Sequence, residues 1–193
     1  MTKQDWINKW KQCRLCPLHL HAKHHVLYRG SIPSELILIG EAPGKTEDKL
    51  GKPFIGRSGQ LLTTAIQRLG ITSYCIANVV CCIPLNEALS DEEQQVVRPP
   101  SPEEAAACYP HIKELVALCK PKLIGLLGKE AEKYFKSTRL APETPRVILR
   151  HPAYVLRRGG INSIEFKNFL SDFEKALSSA GVVHVNPFQQ IGV

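Results

Sequence analysis

The sequence predicts an α/β protein, a three-layer α/β/α arrangement around a central, mostly parallel four-stranded sheet. Three observations carry this. Short all-apolar runs, Leu36-Ile37-Leu38-Ile39 among them, fit strands covered on both faces. Stretches of helical periodicity separate those runs. Strands alternating with helices require right-handed crossovers and parallel pairing. The chain has 193 residues, enough for one sizeable core, and reads as a single domain over residues 1–193.

The elements follow in order. Residues 3–13 read as a short helix with Trp6, Ile7 and Trp10 on one side. Residues 17–34 read as a solvated loop holding His19, His21, His24 and His25, with metal binding as the less favoured alternative. Residues 36–39 are the first strand. Residues 58–69 show helical spacing through Leu61, Leu62, Ala65, Ile66 and Leu69, and Gly70 ends the helix. Residues 74–80 are the second strand, and residues 83–101 a polar loop. Ser101-Pro102-Glu103-Glu104 is a helix start: Ser as N-cap, Pro at the first helical position, acids in the first turn. That helix runs to about Cys119. Residues 123–127 form the third strand, a helix begins near Lys129, and residues 146–149 form the fourth strand. Residues 163–179 form a final amphipathic helix. In such sheets function gathers beyond the C-terminal strand ends, here loops 40–57, 78–100, 128–130 and 150–160.

Composition narrows the function. Hydrophobic residues make up 44% and charged residues 22%, ordinary for a globular chain. No apolar run approaches the ~20 residues of a membrane helix. The start MTKQDWINKWKQC lacks the apolar region of a signal peptide. A cytoplasmic location is therefore expected, in a bacterial, archaeal or virus-infected cell. The net charge of +7 suits a polyanionic partner such as nucleic acid. Seven cysteines, an odd number, argue against a disulfide framework and leave metal ligation open.

The stretch GEAPGKTED, from Gly40, resembles a nucleotide-binding P-loop but misses its spacing. Only three residues separate Gly40 from Gly44, and Pro43 removes a backbone donor. Glu41 adds a carboxylate where phosphate charge would gather. Small residues at Gly40 and Ala42 instead let a ligand approach the backbone. A carboxylate at a strand end can orient or deprotonate a water. Phe54 can stack on a planar base, or close the core beneath the loop.

GEAPGKTEDKLGKPFIGRSGQLL, the strand end Asn78-Val79-Val80 and His151-Pro152-Ala153-Tyr154-Val155-Leu156-Arg157 resemble the iron–sulfur, or family 4, uracil-DNA glycosylases. The resemblance runs from about Cys13 to the final helix. It implies a [4Fe–4S] cluster on Cys13, Cys16, Cys82 and Cys108. Spacing alone does not separate zinc from iron–sulfur, and the choice of Cys82 over its neighbour Cys81 rests on the resemblance. Cys75, Cys81 and Cys119 read as buried small hydrophobes. The chain departs from the family pattern twice. Cys82 and Cys108 are separated by 25 residues, with an acidic Ser90-Asp91-Glu92-Glu93 inserted, and the stretch from Phe135 to His151 lacks the family's basic glycine loop.

The implied activity is flipping of uracil out of DNA and hydrolysis of its N-glycosidic bond, leaving an abasic site. Phe54 would stack on the base and Asn78 would read its edge, since an amide can both accept from N3–H and donate to O4. His151 would donate to the developing oxyanion at O2. Glu41 is the first candidate to position the attacking water. Glu47 is the second, or else walls off the C5 side. Leu156 would fill the space left by the base, unless it packs inward, while Arg157 and Arg158 hold phosphates. The expected partner is uracil-containing DNA, bound by a monomer, with the apolar C-terminal tail able to pack on its own sheet or dock on a protein partner. The alternatives are a homologue that binds or covalently traps uracil-DNA, and a non-catalytic DNA- or partner-binding protein. The linker between Glu47 and Phe54 lacks the basic, His-containing insertion of the trapping homologues, which favours excision.

Overall fold

The computed structural model describes residues 1–86, 96–136, 138 and 140–185. Its centre is a five-stranded sheet of order β1-β3-β2-β4-β5, where β1 is Arg29–Gly30, β2 Leu36–Gly40, β3 Tyr74–Asn78, β4 Leu123–Leu127 and β5 Arg146–Leu149. Strands β2 to β5 pair in parallel, as expected. The fifth strand is a correction. Arg29 and Gly30 add an antiparallel edge to β3, opposite Ile76 and Cys75, within the stretch read as loop. Two residues ending in glycine carry no alternation for a sequence reading to find.

The apolar runs divide cleanly between two faces. Ile37, Ile39, Cys75, Ala77, Ile124 and Leu126 face one layer, built from α1 (Lys3–Lys11), α4 (Pro102–Cys119) and α5 (Lys129–Lys136). Leu36, Leu38, Ile76, Leu123 and Leu127 face the other, built from α3 (Arg57–Arg68), α6 (Pro152–Arg157) and α7 (Ile164–Ser179). Burial on both faces explains why β2 and β4 contain no polar side chain. In the first layer Trp6 stacks on His111 at 5.0 Å and Trp10 meets the same ring edge-on at 5.5 Å, joining α1 to α4.

Ser101 caps α4 as predicted. Its hydroxyl accepts from the Glu104 N–H while the Glu104 carboxylate accepts from the Ser101 N–H, a reciprocal capping box. Gly70 follows α3 at φ 58°, a left-handed stop. Two short helices replace predicted loop. The six-residue α2 (Lys45–Leu50) lies between Gly44 and a left-handed Gly51. The six-residue α6 begins at Pro152, and His151 caps it through Nδ1 rather than the usual Ser, Asp or Asn.

At the other end of the chain, Val182 is buried and the Val185 N–H donates to the Leu69 carbonyl at 2.8 Å, so the start of the tail packs on α3. The rest of the tail, 186–193, and the acidic insertion at 90–93 lie outside the described residues. Among the described residues no helix is long and apolar enough to cross a membrane.

Candidate functional site

Strand β2 ends at Gly40, directly in register with Asn78 at the end of β3. Pairing continues one step further: Val79 N–H donates to the Gly40 carbonyl at 2.9 Å, and Val80 N–H to the Glu41 carbonyl at 3.2 Å. This fixes Glu41 and Asn78 side by side beyond the sheet. The β5 end supplies His151. Between them lies a cavity of about 330 Å³ lined by Glu41, Ala42, Gly44, Phe54, Asn78 and His151, among others. That is within the size range of small-ligand sites.

Phe54 is held in a demanding position. Its backbone sits at φ 54°, in the left-handed region that side chains other than glycine seldom adopt. Two glycines make room for it. A Cβ on Gly59 would lie 2.0 Å from the Phe54 carbonyl, and a Cβ on Gly40 would lie 2.4 Å from the Phe54 ring. The ring is buried and its centroid is 6.0 Å from that of His151. The two readings of Phe54 therefore merge: it closes the second core and also lines the cavity.

Asn78 is 1% exposed, yet neither its Oδ1 nor its Nδ2 has a hydrogen-bond partner. A buried amide with both ends unmet costs about 1–3 kcal/mol per group. It therefore offers one acceptor and two donors to whatever enters the cavity.

Glu41 Oε1 is likewise buried without a partner. Burial, then the Glu130 carboxylate, raises its pKa above the ordinary range, against a smaller opposing pull from Lys133. Glu47 is differently placed. Its Oε1 accepts from the Ile55 N–H at 3.1 Å and the Gly56 N–H at 2.8 Å, tying α2 to the turn after Phe54.

His151 Nδ1 accepts from the Ala153 N–H at 3.1 Å, so the proton of the neutral ring resides on Nε2. Burial, with a smaller contribution from Arg157, lowers its pKa and keeps the ring neutral. Beyond it on α6, Leu156 is half-buried against the second core. Arg157 and Arg158 are exposed, and Arg158 lies over the Tyr154 ring at 5.5 Å.

The cysteines of interest converge from three segments on the opposite, first-core side. Cys13 and Cys16 both follow α1, Cys82 follows β3, and Cys108 lies on α4. None of them is in a disulfide. Burial pushes Cys16 up to about 11, with Cys108, Cys82 and Cys13 adding charge repulsion. Cys82 is drawn down to about 6, first by a bond from Cys81, then by His25. Negative charge on Cys82 or Cys108 would raise the pKa of Cys13 and Cys16, and the Cys81 sulfur lies 3.7 Å from that of Cys108. Among the described residues no three His, Cys, Asp or Glu side chains close on one point as a single metal ion requires. Four thiols drawn from three segments are donors of the type that iron–sulfur clusters take.

The histidine-rich loop is largely exposed, with His21 and His24 at the surface, yet three of its rings are tied to the backbone. Ring nitrogens of His19, His24 and His25 bond the carbonyls of Cys16, Asp48 and Cys13 at 2.6, 2.7 and 2.8 Å.

The family model for the uracil DNA glycosylase superfamily matches residues 27–174. The type-4 uracil-DNA glycosylase of Pyrobaculum aerophilum is 34% identical over 184 residues, covering 84% of this chain and 88% of that protein. The chain belongs to the type-4 uracil-DNA glycosylase family. The member from Thermotoga maritima is 35% identical over 184 residues (87% of this chain, 89% of that protein). That from Archaeoglobus fulgidus is 28% identical over 192 residues, with 89% of each covered.

Within this glycosylase fold the predicted pocket residues Gly40, Glu41, Ala42, Glu47, Phe54, Asn78 and His151 meet at one cavity. Leu156 and Arg157 stand on the helix that His151 caps, and Arg158 caps its other end. Sequence reading missed one wall, formed by Val97, Arg98 and Pro99. Arg98 is fastened there by a two-pronged pair to Glu104 at 2.7 and 2.8 Å and by a bond to the Leu85 carbonyl. Its only signal was its place in a loop after a strand end.

Proposed function

We propose that the protein excises uracil from DNA, hydrolysing the N-glycosidic bond and leaving an abasic site, and that it acts as a single-domain monomer on cellular DNA. The observation that carries this reading is the unmet Asn78 amide inside a cavity walled by Phe54. Uracil presents N3–H and O4 along one edge, a donor and an acceptor that an Asn amide complements. Cytosine presents the reverse pair, so the same orientation rejects it.

In this reading the flipped base stacks on Phe54. His151 donates from Nε2–H to uracil O2 as the C1′–N1 bond lengthens and its electron pair moves into the ring. A neutral donor suits this step, because no proton needs to leave the imidazole. Glu41 orients the water that attacks C1′ and accepts its proton, and its charge stabilises the cationic sugar. Glu47 fixes the turn that carries Phe54. Leu156 enters the space left by the base, and Arg157 and Arg158 hold flanking phosphates.

Cys13, Cys16, Cys82 and Cys108 fit a [4Fe–4S] cluster and would hold it. When bound, the cluster supplies a covalent tie between the N-terminal segment, the loop after β3 and α4. Among the described residues no lysine lines the pocket, and excision without strand cleavage is the expected outcome. Incubation with single-stranded, U·G and U·A oligonucleotides, followed by alkali, tests the reading. Alkali-dependent breaks at uracil support it. A protein–DNA band that survives denaturation, without breaks, would show trapping instead.

A further inference from the structure

Asp48 is 5% exposed, an unusual place for a carboxylate. Its oxygens accept from the backbone N–H of Lys23 at 3.0 and 3.2 Å and from that of His24 at 3.3 Å. Its own carbonyl accepts from His24 Nδ1, and the His24 ring packs where a Cβ on Gly51 would be 3.2 Å away. The next residue along this segment, His25, bonds the Cys13 carbonyl at 2.8 Å. Segment 23–25 is thus held at one end by α2 and at the other by the Cys13 backbone.

On the same short helix, the residue before Asp48 is Glu47, whose carboxylate holds the Ile55 and Gly56 amides after Phe54. A helix of six residues has little stability of its own. Its position must come from what grips it at either side. We infer that Asp48 is a positioning residue that couples the cysteine-bearing segment to the pocket: order imposed at Cys13 passes through residues 23–25 and Asp48 to α2, and through Glu47 to the turn that presents Phe54. The cluster would then set the geometry of the base pocket without touching the base.

The inference rests on the proposed cluster and pocket, and its test separates them. Amide hydrogen exchange at Ile55 and Gly56 is followed by NMR in iron-loaded wild type and Asp48→Asn, before and after iron is removed with a chelator. Asn keeps the size of Asp but turns one acceptor into a donor facing backbone N–H groups. In wild type, iron removal speeds exchange at both amides by about tenfold, the size of one lost charge-assisted hydrogen bond. In Asp48→Asn with iron bound, exchange is already faster by about that factor, and iron removal adds less than about twofold. Should that variant not fold, His24→Phe removes the ring bond to the Asp48 carbonyl from an exposed site and raises exchange about threefold. Equal acceleration on iron removal in wild type and variant overturns the coupling, as does exchange in the variants at the wild-type rate. Exchange needs no substrate, so a protein that excises nothing counts against the glycosylase reading alone. A wild type that takes up no iron counts against the cluster.

Discussion

Replacing Asn78 by alanine separates the two costs that its side chain embodies. In the free protein the amide is an expense, because two buried polar groups are left unmet at about 1–3 kcal/mol each. In the complex it makes two hydrogen bonds to the base, worth together about 1–3 kcal/mol. Asn78→Ala removes both. Excision should fall in kcat/KM by about 5- to 150-fold. Stability should hold or rise, by up to about 2 kcal/mol, because the space left opens into the existing cavity rather than forming a sealed void. For a chain of this length each kcal/mol moves Tm by roughly 2–4 °C upward. Single-turnover excision and a thermal melt on the same preparation measure the two effects. A variant with normal excision would remove Asn78 from base recognition. A variant that loses several kcal/mol of stability would show that the amide is a structural group.

Three further predictions follow from the same cavity and from the cysteines. Glu41 has a folded pKa raised by burial, so its protonated form is the one that folding favours. That contribution is present below the unfolded pKa and is lost as pH rises through the folded pKa; at neutral pH the buried charge costs stability. Glu41→Gln should therefore melt higher than wild type at pH 7, lose that advantage near pH 4, and excise about a hundredfold more slowly. Wild-type activity should fall on the acid side at a pH above the usual carboxylate range, and a variant with the same acid limb would show that Glu41 is not the group titrating. Gly40→Ala should raise KM with iron content unchanged, since the new methyl meets both the Phe54 ring and Asn78 Oδ1 within 2.6 Å; unchanged binding would mean the pocket adapts. Cys82→Ser should abolish the visible iron–sulfur absorbance while Cys81→Ser retains it; the reverse result would exchange the two ligands.

Much of the fold was legible because its signals are local. The apolar runs of β2 and β4 and the Ser101 capping box announce their structure within a few residues. What escaped was short or unconventional. The helix α2 offers under two turns of periodicity, β1 only two residues, and α6 is capped by a histidine. The site was legible in its parts. Glu41, Phe54, Asn78 and His151 were readable at strand ends and turns, and the resemblance supplied their grouping. Their condition was not readable. Nothing in the sequence shows that Phe54 sits at positive φ, that the Asn78 amide is unmet, or that His151 Nδ1 is occupied. Those facts depend on long-range packing. The division of labour between the carboxylates is of the same kind: Glu47 is engaged by two backbone amides across the turn, whereas the Glu41 oxygen remains unmet. The wall at Val97 to Pro99 escaped for a related reason, since a polar loop has no periodicity to reveal which residues fold back over the pocket.

The central claim is that an unmet amide beside a stacked ring selects uracil for excision. Its most direct measurement uses one DNA duplex carrying uracil, cytosine or thymine at the same position, with iron-loaded wild type under single turnover. Alkali-labile breaks at uracil alone, lost in Asn78→Ala, are the predicted result. No breaks at uracil, or equal breaks at uracil and cytosine, would contradict the account.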